Sequence, residues 1–275
     1  MTRRGLALVA AALWVGCRPP PPAPEDLDSV AAFLFSEHGN QDRLSEGLVN
    51  LQAWFEDGFD PEQDRGFQLS VVLDQETVDG IDASVVWTHP DLKEGRAADG
   101  MLGAAVGTAG TQSMDDYVFA LTGMPQDEVF PDTFAEWSRT WRLCDGDDFA
   151  DQTCLTAEAD EQQDSRFGLG FNSQGESYNQ YQWVELPDGS WAMNHRNWQV
   201  YPPEVSSNLI EVFDQYYLNT FVPSVDGTHI FRLQATWAVF GDGVPEDLGL
   251  NLTANSMFDS SVELEEWLEE RNSNE

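Results

Sequence analysis

The segment that most constrains the fold is Thr228–Gly241, in which apolar and polar side chains alternate. Its polar positions are Arg232, Gln234 and Thr236, and its apolar positions are Phe231, Leu233, Ala235, Trp237 and Val239. Successive side chains of a β-strand point to opposite faces of the sheet. The alternation therefore predicts a strand in a sheet that has one apolar face and one polar face.

Further β signals precede this strand. The turn residues Pro187, Asp188 and Gly189 separate two aromatic-rich runs within Tyr178–Tyr201, which predicts a hairpin. Leu209–Phe221 predicts another strand, and the small residues of Met101–Val106 predict one more. Several strands joined by short turns predict an antiparallel sheet.

Helical signals flank these strands. Apolar residues at helical spacing predict a helical lead-in over about residues 27–60. Ser113 and Gly123 are suited to begin and end a short helix. Ser260 with Glu263 forms a capping box that predicts the start of the last helix, whose apolar stripe is Leu264, Trp267 and Leu268. Together the elements predict an α+β fold.

Two further segments are predicted to form a hairpin and a disulfide-closed loop. Phe67–His89 contains two β-branched runs separated by polar residues, which predicts a hairpin. The acidic segment Asp145–Asp164 predicts a loop, with its base held by a bridge between Cys144 and Cys154. Cysteines pair readily outside the cytoplasm, so a structural disulfide is favoured over a metal site.

The order of elements resembles the START-like helix-grip family. A helix near residue 114, several antiparallel strands, a loop with the sequence GDGVPEDL and terminal helical segments carry this resemblance over about residues 100–270. The resemblance implies a curved antiparallel sheet wrapped around a C-terminal helix, with a cavity between them. It also implies a lipid or another hydrophobic ligand, although no binding residue of the family can be transferred to this chain.

Aromatic residues of the predicted strands are the candidate ligand contacts. They are Tyr181, Trp183, Trp191, Trp198 and Trp237. Aromatic side chains in a sheet more often fill a core than line a cavity, so that alternative stays open.

The first residues predict an exported protein. Arg3 and Arg4 precede the apolar run Leu6–Val15, which is too short to span a bilayer. The sequence WVGC resembles the lipobox of bacterial lipoproteins, which implies cleavage after Gly16 and lipid attachment to Cys17. An ordinary secretory signal is the alternative. Prolines after Cys17 favour an extended tether.

These features divide the chain into three parts. Residues 1–16 are the predicted lipoprotein signal peptide, residues 17–26 the lipidated cysteine and proline-rich tether, and residues 27–275 a single acidic α+β domain. Several acyl chains, palmitate among them, give durable membrane attachment. By the lipoprotein resemblance, Arg18 in place of an aspartate after Cys17 implies the outer rather than the inner membrane of a bacterial envelope.

The amino-acid composition limits which partners the protein can bind. The chain has 13 basic and 49 acidic residues, a formal net charge of −36. Such a surface repels phosphate groups, which argues against nucleic acid as a partner.

No cluster of residues predicts a catalytic, metal or cofactor site. His38, His89, His195 and His229 lack metal-ligand spacing, and Ser173 misses the nucleophile-elbow pattern by one residue. The predicted function is therefore a non-enzymatic, envelope-anchored binding module for a lipid or another hydrophobic ligand. An interaction or structural protein without a small-molecule ligand, and a hydrolase with dispersed acidic residues, are the alternatives.

Overall fold

The computed structural model of the chain describes residues 19–61, 66–88, 96, 98–167, 171–206, 211–241 and 244–274. The helices are α1 (Leu27–Ser36), α2 (Gln41–Glu56), α3 (Gln75–Thr88), α4 (Met114–Thr122), α5 (Gln126–Val129), α6 (Gly146–Ala150) and α7 (Glu246–Asn274). The strands are β1 (Phe67–Leu69), β2 (Leu102–Gly110), β3 (Phe134–Leu143), β4 (Thr156–Phe167), β5 (Phe171–Glu185), β6 (Trp191–Gln199), β7 (Glu204–Val205), β8 (Val212–Pro223) and β9 (Ile230–Phe240).

The strands form one nine-stranded sheet. Its order is β1-β2-β9-β8-β6-β5-β4-β3, with β7 paired to β5. Every pair of neighbouring strands is antiparallel. The predicted α+β class, with an antiparallel sheet packed on helices, is confirmed.

One face of the sheet, here the α1 face, packs on α1 and α2. Its centre is a row of cross-strand neighbours from β5, β6, β8 and β9, namely Tyr178, Trp198, Tyr216 and Trp237. The ring of Phe35 from α1 meets Tyr216 and Trp237 edge-on, at 6.1 and 5.7 Å between centroids. Apolar and aromatic residues of the predicted lead-in therefore pack against this face and form a core.

The opposite face, here the α7 face, carries the polar side chains of β9. Arg232, Gln234 and Thr236 are 4, 1 and 2 % exposed, so the predicted polar face is buried rather than solvated. Helix α7 packs against β2 and β9 and touches α4 and α5. A polar sheet face covered by helices is the arrangement that produces the candidate site.

The hairpin predicted for Phe67–His89 is wrong. Over residues 67–88, the described part of this segment, the one strand is the short β1, and α3 follows it. Asp74 accepts a 2.8 Å hydrogen bond from the backbone N–H of Thr77, as an N-cap residue does. Val78 and Ile81 lie three residues apart and are both buried, so one helical face packs on the core.

The acidic loop predicted for Asp145–Asp164 is wrong in its second half. The disulfide between Cys144 and Cys154 is present and encloses the short helix α6, whereas β4 begins at Thr156. The acidic residues of β4 enter the sheet because the neighbouring strands β3 and β5 supply their partners. Arg142 donates a 2.5 Å hydrogen bond to Asp160, which lies diagonally across from it on β4.

The start predicted for the last helix is also wrong. Helix α7 begins at Glu246, so Ser260 lies inside it and donates a 2.9 Å hydrogen bond to the carbonyl of Met257. The predicted apolar stripe is correct, since Leu264 and Leu268 are fully buried and Trp267 packs beside them.

Other predicted elements are confirmed. Ser113 and Asp116 form a capping box at the start of α4, and the backbone N–H of Gly123 bonds to Phe119 at its end. The β5–β6 hairpin turns at Gly189, whose φ of 86° favours glycine. Among the described residues, no helix is long and apolar enough to cross a membrane.

Cys17 lies outside the described residues, as do residues 1–18 as a whole, so lipidation stays a prediction. The three-part division of the chain also stays a prediction. At the end of the proline-rich segment, the carbonyls of Ala23 and Pro24 accept hydrogen bonds from the Asn50 side chain, at 3.1 and 2.9 Å, and Ala23 is buried. The end of the proposed tether is thus attached to α2.

Candidate functional site

A cavity of about 200 Å³ lies between the α7 face of the sheet and helix α7. The inward side chains of β4, β5, β6, β8 and β9 form its floor, and α7 contributes Thr253, Ser256, Met257 and Ser260. Leu121, Phe130 and Phe134 form an apolar end where α4, α5 and β3 meet. Polar side chains thus make up most of the wall.

Two rows of cross-strand neighbours make the floor polar. The first row is Asn179, Asn197, Tyr217 and Thr236, and the second is Tyr181, His195, Asn219 and Gln234. Each row takes one residue from each of β5, β6, β8 and β9. Antiparallel pairing places such residues side by side, so amide, hydroxyl and imidazole groups converge on one space.

A buried ion pair forms one wall. The Arg139 guanidinium bonds to Glu161 Oε1 at 2.6 Å and donates to the carbonyls of Leu121 and Thr122, at 2.8 and 2.9 Å. Those carbonyls belong to the last turn of α4, where a cation also offsets the helix dipole. Tyr181 OH donates to the same Glu161 oxygen at 3.1 Å. The two charges of this wall therefore compensate each other, and the arginine bonds to α4 as well as to β4.

Helix α7 is joined to the sheet through Gln234. The Gln234 amide nitrogen donates to Ser261 Oγ at 2.6 Å and to the Met257 carbonyl at 2.9 Å. Its oxygen accepts from Arg232 Nη2 at 3.0 Å and also from Tyr217 OH. Arg232 Nε donates to Asn219 Oδ1 at 2.9 Å. Burial lowers the pKa of Arg232, whose charge lies in the cavity wall.

The imidazole of His195 lies at the centre of the floor. Its ring stacks on that of Tyr181, with 4.2 Å between centroids and 5° between planes. Nε2 lies 2.9 Å from Asn179 Oδ1, whereas Nδ1 has no partner among the described residues. Burial, with the charges of Arg139 and Arg232, lowers the pKa of His195 to about 3. The imidazole is therefore neutral at physiological pH.

The five aromatic residues predicted to contact a ligand lie in three different places in the structure. Tyr181 lines the cavity. Trp198 and Trp237 belong to the core on the α1 face. Trp183 and Trp191 lie on the α7 face but beside α6, where Trp183 donates to the Phe149 carbonyl at 2.8 Å. Ligand contact by these residues stays a prediction, and the geometry favours Tyr181.

The amides and hydroxyls of the floor were not among the predicted site residues. The signal that could have found them is the polar half of the alternating pattern in β9, continued in β5, β6 and β8. Among the described residues, no group of three or more His, Cys, Asp or Glu side chains could hold a metal ion.

No protein-family profile matches the chain, and no curated protein matches its sequence. Solved structures with a similar fold include a STAR-related lipid transfer protein from Xanthomonas axonopodis, at 15 % identity and a TM-score of 0.43, covering 63 % of this chain and 96 % of that one. Human StAR-related lipid transfer protein 5 has 8 % identity and a TM-score of 0.40, covering 72 % of this chain and 100 % of that one.

A third similar structure is the major latex-like protein 151 of Panax ginseng, with 6 % identity and a TM-score of 0.35. The match covers 60 % of this chain and 96 % of that one. At these values the similarities carry no argument about the ligand of this chain. The fold class rests on the strand order and on the packing of α7.

Proposed function

We propose that this chain is an envelope lipoprotein whose folded part binds one small amphipathic molecule without transforming it. The observation that carries the proposal is the cavity between the α7 face and α7. An interaction protein whose residues only fill a core would leave no such space, so the cavity favours a binding module over that alternative.

The ligand is amphipathic because the wall is of two kinds. Leu121, Phe130 and Phe134 offer an apolar surface, as expected for a lipid or another hydrophobic ligand. The amide and hydroxyl groups of the floor require hydrogen-bond partners on the ligand, because a buried polar group without a partner costs free energy. A volume below the 300–1,000 Å³ of common ligand pockets favours a small molecule over a lipid with two acyl chains.

Binding is favoured over catalysis by the state of the titratable groups. A histidine whose pKa is about 3 is a weak base at neutral pH. Glu161 is the one carboxylate among the described residues of the cavity wall, and it bonds to Arg139 and Tyr181. A hydrolase that uses two carboxylates needs a second one nearby.

The anchor is part of the proposal. Cys17 would carry the acyl chains, and the proline segment would hold the domain away from the outer membrane of a bacterial envelope. Attachment of Ala23 and Pro24 to Asn50 supports a short tether that ends at the folded part, because it leaves few residues between the lipid and α2.

Native mass spectrometry tests the binding function. The full chain carrying Cys17→Ser, exported to an oxidising compartment, is expected to hold one organic molecule that solvent extraction removes. Asn197→Trp places a large side chain in the cavity and should abolish the extra mass, whereas Asn197→Ser should retain it. A bare protein mass that stays unchanged after incubation with envelope lipids would contradict the proposal.

A further inference from the structure

Strand β6 turns three successive inward side chains toward the cavity, and the first and last of them each have a buried polar atom without a partner among the described residues. The three side chains are His195, Asn197 and Gln199. His195 and Gln199 are each 7 % exposed, so their polar atoms are shielded from bulk water. Other buried polar side chains of the floor, such as Gln234 and Asn219, form hydrogen bonds within the protein. Within the described part of the cavity lining, the two buried polar atoms without a partner therefore both lie on β6.

The free atom of His195 is an acceptor. Asn179 donates its amide to Ser177 Oγ at 3.1 Å, which leaves its oxygen facing His195 Nε2. Nε2 must then carry the single proton of the neutral imidazole. Nδ1 is left as a bare lone pair with no partner among the described residues.

The free atom of Gln199 is also an acceptor. Its amide nitrogen donates to Gln215 Oε1 at 3.3 Å. Its own Oε1 is buried and makes no hydrogen bond with any described residue. The Cα atoms of His195 and Gln199 are about 13 Å apart along the strand, at about 3.3 Å per residue. One hydroxyl group cannot reach both atoms, so the ligand must carry several donors.

Charge restricts the kind of donor. Arg139 is paired with Glu161, so the cation that restricts the donor is Arg232, which bonds to the neutral side chains of Asn219 and Gln234. Its guanidinium is in the wall of the same cavity and would repel an ammonium ligand. A carboxylate ligand has acceptors only and would leave both β6 acceptors unpaired. Neutral hydroxyl groups meet both conditions.

We infer that the ligand is an uncharged molecule with a polyhydroxylated head group that donates hydrogen bonds to His195 Nδ1 and Gln199 Oε1. This inference rests on the proposed binding function and names the ligand class of that site. The apolar part of the molecule lies toward Leu121, Phe130 and Phe134.

Three probes with the same six-carbon chain test the inference by titration calorimetry. They are hexyl glucoside, hexylamine and hexanoate, added to the full chain carrying Cys17→Ser after resin treatment to remove bound ligand. Hexyl glucoside is expected to bind about tenfold more tightly than either charged probe, because only its head group supplies neutral donors.

The outcomes of this titration distinguish a wrong ligand class from a wrong binding function. Preference for hexyl glucoside supports both proposals. Equal or tighter binding of hexylamine or hexanoate overturns the inferred ligand class and leaves the binding function in place. Failure of all three probes to bind, together with a bare native mass, overturns both.

Variants locate the contact. His195→Phe and Gln199→Met should each weaken hexyl glucoside binding about fivefold, as the loss of one neutral hydrogen bond does. Gln162→Met, at an exposed position of β4, is the matched control and should leave the affinity within about twofold.

Because His195 is buried, a readout on the unsubstituted side chain is also needed. Hexyl glucoside should move the ¹⁵N resonance of His195 Nδ1 upfield, as expected when a bare imidazole nitrogen accepts a hydrogen bond. A resonance that stays in place at saturating hexyl glucoside would overturn the assigned contact even if both variants failed to fold.

Discussion

Tyr117 OH donates a 2.6 Å hydrogen bond to Glu265 Oε1, which joins α4 to α7 across the end of the sheet. Both side chains come from elements that cover the α7 face, so the bond holds the helical cover together. Burial raises the pKa of Glu265, with Arg232 nearby acting in the opposite direction. The pair links the position of α7 to the site that α7 covers.

Removing this bond should destabilise the fold. Tyr117→Phe leaves Glu265 without its donor in a half-buried position, and we expect a loss of about 1–3 kcal/mol in the free energy of unfolding. Glu265→Gln keeps an acceptor for Tyr117 and should cost less. Urea unfolding of the two variants checks this, and equal losses would contradict the role assigned to the hydroxyl.

The ion pair of the cavity wall gives a larger effect. Arg139→Met leaves Glu161 as a buried charge without its cation, and it also frees two carbonyls of α4. We expect a loss of about 3–5 kcal/mol in the free energy of unfolding. The double variant Arg139→Met with Glu161→Met should recover most of it. A double variant as unstable as the single one would contradict this account.

Stability should fall in acid because of His195. The pKa of His195 is lowered to about 3 from an ordinary value of 6.5. Between these two pH values the side chain is protonated in the unfolded state and neutral in the folded state. This stabilising contribution is present above pH 6.5 and is lost as pH falls toward 3. Relative to His195→Gln, the unsubstituted protein should lose about 2 kcal/mol between neutral pH and pH 5.

Urea unfolding of both proteins at the two pH values measures this difference directly. Both proteins share every other ionisable side chain, so the comparison reports mainly on His195. Parallel pH profiles for the two proteins would show that His195 accepts a proton in the folded state.

The disulfide should act as a local restraint. Replacing Cys144 and Cys154 by serine opens a short loop around α6 and should lower the free energy of unfolding by roughly 2–3 kcal/mol on the chain-entropy account. A reducing agent should lower the stability of the unsubstituted protein by a similar amount. It should leave the double serine variant unchanged, which serves as the control.

The anchor is tested separately from the fold. Cys17→Ser should move the protein from the membrane fraction to the soluble fraction of the envelope, because the acyl chains would have no attachment site. The disulfide variant, which keeps Cys17, should stay with the membranes. If the Cys17→Ser protein remains membrane-bound after signal removal, the lipoprotein proposal is wrong.

Segments with a local signal were predicted from the sequence. Ser113 with Asp116 begins α4, and the turn at Gly189 joins β5 to β6. Both signals are contained in a few neighbouring residues, and a capping or turn residue acts only over that range. The same holds for the alternation of Arg232 and Gln234 with their apolar neighbours in β9.

Segments without a decisive local signal were predicted wrongly. Valines before and after Asp74 favour strands by composition, but Val78 and Ile81 pack as one helical face on the core. Ser260 with Glu263 has the pattern of a helix start, yet α7 already extends from Glu246. In both places packing against distant elements overrides the local preference.

The sequence by itself determined which side chains of each strand share a face, because the two-residue period of a strand is a local property. Only the tertiary structure decided that the polar face is covered by α7 and that His195 lies beside Tyr181 and Asn219. Those neighbours depend on the register of strands that are distant in the chain. The chemistry of the cavity is therefore a property of strand pairing and helix packing, which no local pattern encodes.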